Sequence, residues 1–159
     1  MSLVVDVSAA DGVRAPIAPS RVRDIAVAVL RAERVRDALV SIALVSSREI
    51  ARLNRRHLAH RGVTDVISFA LGGHGSRSRR DPIVGDVYIA PEVARDNAAG
   101  LGHGVREEVA RLVVHGVLHV LGHDHPADAS RTSSPMWKRQ ERLLASAAVR
   151  RAIGGVRAG

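Results

Sequence analysis

The hydrophobic pattern of this chain changes period several times, and each change marks an element. "SLVVDVS" (2–8) alternates apolar and polar residues with the period of two expected of a strand. "PIAPS" reads as a loop, after which Ser20 caps a helix over about residues 21–34, "RVRDIAVAVLRAER". "DALVSIALVS" (37–46) is rich in β-branched residues and reads as a buried strand. Ser46 and Glu49 then have capping-box spacing and open a short helix, "SREIARLNRRHL". "TDVISFAL" (64–71) and "IVGDVYIA" (83–90) are further strands, separated by the basic loop "GGHGSRSRR" (72–80). Pro91 suits a first helical position, with Glu92 in the first turn of "PEVARDNAAG".

The longest periodic segment runs from Gly104 to Leu121. Val105, Val109, Leu112, Val113, Gly116, Val117 and Val120 recur at steps of three and four, which predicts an amphipathic helix ended by Gly122. A last helix is expected from about Ser134 to Val149, followed by a frayed tail. The elements predict a mixed α and β order with about four strands and no internal repeat. A single domain over residues 1–150 with a flexible tail at 151–159 is the expected organisation.

Composition narrows the function. At 159 residues the chain is long enough to bury a core as one domain, and no cysteine is present, so disulfides and thiolate zinc sites are excluded. The N-terminus lacks the pattern of a signal peptide and no apolar run is long enough to span a membrane, so a soluble cytoplasmic protein is expected. The formal net charge is +8, carried almost wholly by arginine with Lys138 the only lysine, which suits a polyanionic partner. A GC-rich coding background could also produce an arginine and alanine bias, but it does not by itself unbalance the acids. With one Phe, one Tyr and one Trp, base-stacking platforms are not expected.

The candidate chemistry lies in "HGVLHVLGHDH" (115–125), which holds four of the eight histidines. His115 and His119 sit one turn apart on one helix face, Gly122 turns the chain, and His125 can return a third imidazole. This H-x-x-x-H-x-x-G-x-x-H spacing matches the metzincin pattern except at Gly116, where a zinc protease carries its catalytic glutamate. Three neutral imidazoles leave a fourth position open, as in a catalytic site; zinc is favoured, with nickel, cobalt or copper as other occupants. His123 lies on the turn and reads as an exposed side chain rather than a ligand. Asp124 either accepts from a ligand imidazole or stabilises the turn. His57, His60, His74 and His103 read as surface residues. Without the glutamate, peptide hydrolysis is disfavoured, whereas a bound metal can itself lower the pKa of water to about 7, which leaves attack on a phosphodiester open.

These residues resemble the signature of the YbeY family, bacterial rRNA maturation factors described as metal-dependent endoribonucleases. "LNRRHLAHRGVTDVISFAL" (53–71), "GDVYIAPEVARDNA" (85–98) and "MWKRQERLL" (136–144) agree with the family in order and spacing, so the resemblance covers about residues 40–145. It implies a compact α+β fold with a small mixed sheet, a zincin-like metal helix and a cleft beside a three-histidine ion. It implies His115, His119 and His125 as the ligands of the ion, which the all-imidazole set makes one Zn2+ per chain, other divalent transition metals remaining open. It also implies action on rRNA in 16S 3′-end maturation and ribosome quality control, with contact to the small ribosomal subunit. One departure stands out: Leu58 occupies the place of a family arginine thought to serve the reaction. Arg56 and Arg61 flank it and are the candidate replacements, Arg61 being nearer the strand "TDVISF". Thr64 and Asp65 read as loop-positioning residues and Ser68 as strand packing. Asp86 is a candidate partner of the metal ligands or a turn residue, and Phe69, Tyr88 and Trp137 read as packing.

The reading that follows is a metal-dependent endoribonuclease in which arginines hold the phosphate backbone. A ribosome-assembly factor with a mainly structural metal is the alternative that Leu58 favours. A metallopeptidase is the third, and Gly116 counts against it.

Overall fold

The computed structural model describes residues 2–58, 66–71, 82–126 and 129–154; Arg61, Thr64, Asp65, His60, His74 and the side chains of His57 and Leu58 lie outside the described set. Four strands form one sheet: β1 (Leu3–Ala9), β2 (Ala38–Leu44), β3 (Val66–Ala70) and β4 (Ile83–Ile89). Their order is β1-β2-β4-β3, with β1, β2 and β4 parallel and β3 antiparallel to β4. The expected α+β fold with a small mixed sheet of four strands is what the structure shows.

Helices α1 (Pro19–Ala32) and α4 (Val105–Val120) pack side by side on one sheet face, joined there by α5 (Pro135–Ala145) and α6 (Ala147–Ile153). The main core lies between them, formed by such residues as Ile25, Leu30, Ile42, Val87, Val113 and Leu118. On the other face α2 (Ser47–Leu58) covers the β3 end of the sheet, over a smaller cluster of Val45, Ile50, Leu53 and Ile67. The β1 end of that face stays open, with Val4 and Leu39 exposed. The strand expected over residues 37–46 is thus buried on one face rather than on both. β2 buries Ala38, Val40, Ile42 and Leu44 and turns Leu39 and Ser41 outward, because helices cover only one face there.

The helix ends follow from local chemistry. Ser46 Oγ accepts from the Glu49 N–H at 3.1 Å, as the capping-box spacing predicts. Pro91 opens α3 (Pro91–Leu101), also as expected. Ser20, in contrast, does not cap α1. Pro19 starts that helix after Ala18, because proline's missing N–H and fixed φ suit the first helical position. The last helix is broken where one element was expected. Ser146 donates to the Leu143 carbonyl at 2.6 Å and accepts from the Val149 N–H, so it ends α5 and starts α6. Residues 151–153, placed in the tail by the sequence reading, belong to α6, and Ile153 is buried in the main core.

Candidate metal centre

α4 is pressed unusually close to β4. A β-carbon built on Gly116 would stand 2.6 Å from Val87 Cγ1, and one on Gly85 would meet the Val120 side chain and the Phe69 carbonyl. The contacts are reciprocal: a glycine on each element receives a valine from the other. This packing fixes the face of α4 that touches the sheet and leaves His115 and His119 on another face. Gly116 therefore points at Val87 rather than into the histidine cluster.

Gly122, at φ 101°, ends α4 in the left-handed conformation, with the His123 N–H bonded to the Leu118 carbonyl at 3.0 Å. The turn brings His125 back, so one ligand atom from each of His115, His119 and His125 lies within 4.8 Å of the others. Ring centroids are 4.6–5.0 Å apart, and the Nε2 atoms of His115 and His125 are separated by 3.3 Å.

Hydrogen bonds behind the cluster decide the protonation of the rings. Arg111 donates through Nε and Nη2 to both carboxylate oxygens of Glu141, at 3.0 and 3.1 Å, and burial is offset there by the guanidinium so that Glu141 sits below the usual carboxylate range. An ionised carboxylate only accepts, so the Gln140 amide must turn its NH2 toward Glu141, at 3.0 Å. The Gln140 carbonyl oxygen then faces His115 Nδ1 at 2.6 Å, which must carry the hydrogen. His125 Nδ1 likewise lies 2.8 Å from the Pro126 carbonyl oxygen, another acceptor. A neutral ring in either place thereby keeps its lone pair on Nε2, and the two Nε2 atoms face each other. Two electron pairs directed at one point fit a shared cation. Burial pushes the His115 imidazole down to about 4 and also lowers His119, so both are neutral at pH 7. The Arg131 guanidinium pushes His115 the same way.

The turn is held from behind by α1. Glu33 accepts from His123 Nε2 at 2.9 Å and from Arg139 at 2.9 Å. Burial would raise the Glu33 carboxyl, but the hydrogen bonds and charges of Arg139 and His123 together hold it low. His123 is thus outside the cluster, as expected, yet it is half-buried and paired rather than an exposed turn residue.

The supporting residues named from the sequence fare unevenly. Asp124 accepts from the His125 backbone N–H at 2.8 Å, so it stabilises the turn, and the Pro126 carbonyl meets the ring instead. Asp86 lies within β4, one residue out of phase with Gly85 and Val87, which face α4. Strand alternation puts it on the opposite sheet face, away from the histidines. Ser68 pairs with Val87 and so shares the α4 face of the sheet. Arg56 is an exposed residue of α2, the helix that covers the other face. His103, read as a surface residue, bonds Glu108 at 2.8 Å, and that carboxylate, 5% exposed, also receives Arg111.

Beside His115 opens a cavity of about 810 Å3, lined among others by Arg111, Arg131, Trp137, Asp96 and Leu101. Sequence reasoning missed Gln140, Glu141, Arg111 and Arg131. For Gln140 a signal existed: it falls between Met136 and Leu144 on the buried stripe of α5, where a polar residue needs a partner.

A family model described as Endoribonuclease YbeY matches residues 13–148. A protein named Endoribonuclease YbeY from Parafrankia sp. is 41% identical over 114 residues, covering 67% of this chain and 70% of its own length. Another of that name from Carboxydothermus hydrogenoformans is 39% identical over 126 residues, covering 79% of this chain and 84% of its own. The solution structure of TM1509 from Thermotoga maritima superposes with a TM-score of 0.59 at 21% identity, over 92% of this chain and 89% of that one. That last likeness is one of fold.

Proposed function

The chain belongs to the YbeY family of endoribonucleases, and on that premise we propose that it is a metal-dependent enzyme that cuts single-stranded RNA in 16S rRNA 3′-end maturation and ribosome quality control. The observation that carries this reading is the convergence of His115, His119 and His125, with His115 lining a cavity of about 810 Å3. These three residues would hold one ion, and zinc is the ion an all-imidazole set favours. When bound, it supplies Lewis-acid polarisation of a phosphoryl oxygen and a lower pKa for a water molecule.

The chain's own residues supply orientation and charge. Gln140 and the Pro126 carbonyl hold two of the rings in the tautomer that presents Nε2. The excess of eight positive charges draws in a phosphate backbone and suits a site on the small ribosomal subunit in the cytoplasm. Gly116 offers no proton acceptor and touches the sheet, which counts against peptide hydrolysis.

A second reading, a ribosome-assembly factor with a structural ion, draws support from the hydrogen-bond chain that ties His115 to α5. Cleavage of a 16S precursor 3′ end by highly purified protein separates the two. Metal-loaded wild type is expected to cut, and His115→Ala and metal-stripped protein are expected not to. Cutting that survives both treatments indicates a contaminating nuclease and overturns the enzymatic reading. Failure of the loaded wild type to cut, with loss of stability on stripping, favours the assembly factor.

A further inference from the structure

The cavity beside His115 holds two arginines in different electrostatic states. Arg111 is neutralised from two sides, by Glu108 at 3.1 Å and Glu141 at 3.0 Å, and its side chain is only 18% exposed. Arg131 is exposed and, among the described residues, in no ion pair. Its guanidinium carbon lies 5.7 Å from the ring centroid of Trp137, within cation–π range. Ser134 fastens the two together: its Oγ donates to the Arg131 carbonyl at 2.7 Å and accepts from the Trp137 N–H at 3.2 Å. The charge is therefore held near an aromatic ring in the lining of the cavity, and among the described residues no carboxylate pairs with it.

The rest of the lining is graded. Leu101, 67% exposed, offers apolar surface, and Asp96 places an exposed carboxylate in the same lining. A free cation, apolar surface and a carboxylate match the three parts of a nucleotide: phosphate, base face, and the donor groups of base or ribose. The volume lies within the range of sites for molecules of that size.

We infer that this cavity is the subsite for the nucleotide adjoining the cleaved bond, with Arg131 seated on Trp137 as its phosphate-binding group. The inference rests on the proposed action on RNA. It assigns a role to an aromatic residue that the sequence reading gave to packing.

Trp137 is the chain's single tryptophan, so its emission reports this site directly. Metal-loaded protein is titrated with uridine monophosphate, which has no internucleotide bond to cut, and with uridine. The monophosphate is expected to change Trp137 emission saturably, and uridine to need at least about tenfold more ligand. Arg131→Gln is expected to bring the monophosphate down to the affinity of uridine, with Arg131→Lys between them, and bound metal unchanged. Cleavage of single-stranded RNA by Arg131→Gln is expected to fall by about tenfold or more. An unresponsive emission, or Arg131→Gln binding the monophosphate as wild type does, overturns the subsite. If wild type cuts RNA and Arg131→Gln cuts equally well, the subsite falls and the nuclease reading stands. If wild type binds the nucleotide through Arg131 but cuts nothing, the cavity is a nucleotide site, and the nuclease reading falls together with the placement beside a cleaved bond.

Discussion

A single amide decides which nitrogen of His115 is free. Gln140 is 1% exposed and has no solvent to reorient toward, so its direction is inherited from Glu141 and in turn from Arg111. Gln140→Leu removes the acceptor and lets the ring rotate or change tautomer. Metal affinity is expected to fall by about 10–100-fold, measured by competition with a coloured chelator while the far-ultraviolet spectrum stays native. Gln140→Glu keeps an acceptor but sets a second carboxylate beside Glu141, and it is expected to retain more affinity than Gln140→Leu. The convergence of the three histidines was legible, because i, i+4 histidines, a helix-ending glycine and a returning histidine are local geometry. Their support was not. His115 and Gln140 are 25 residues apart, so their bond exists only once α4 and α5 have packed.

At the scale of elements, the metal helix takes its rotation from the sheet. Gly116→Ala drives a methyl into Val87 and is expected to cost about 1–3 kcal/mol, read as a lower midpoint in urea with an unchanged slope. Loss of metal affinity should accompany it if α4 is pushed off β4. Periodicity located most of the elements because strand alternation and helical stripes are written residue by residue. It failed where one polar residue acts in two directions. Ser146 both ends α5 and begins α6, and no glycine or proline announces the break. It also failed for β2, since composition alone does not say whether helices will cover one sheet face or both.

For the whole molecule, the buried imidazoles make stability depend on pH and on the ion together. His115 titrates near 4 when folded against an ordinary value of 6.5, so between these the unfolded chain binds a proton that the folded one refuses. Its contribution is therefore complete above about pH 6.5 and is lost as the pH falls toward 4. Metal-stripped protein is expected to melt at progressively lower temperature across that window. Added metal should raise the midpoint most above pH 6.5, and the gain should vanish near pH 4, where protons compete for the same lone pairs. Scanning calorimetry with and without a chelator measures both. A midpoint of the stripped protein that stays flat from pH 6.5 to 4 would show that burial of His115 is not what couples them.

The reciprocal fit of Gly116 and Val87 also bears on which sequences can descend from this one. Bulk gained at position 116 must be surrendered at position 87, because Val87 fills the space that a β-carbon there would need. Shortening Val87 to alanine would leave only its Cβ, 3.5 Å from a new β-carbon at 116, an ordinary contact. A Val87→Ala, Gly116→Ala double variant should thus lose less stability than the two single losses added together. A glutamate at 116 would demand still more room, and its side chain would start toward Val87 and the sheet rather than toward the histidines.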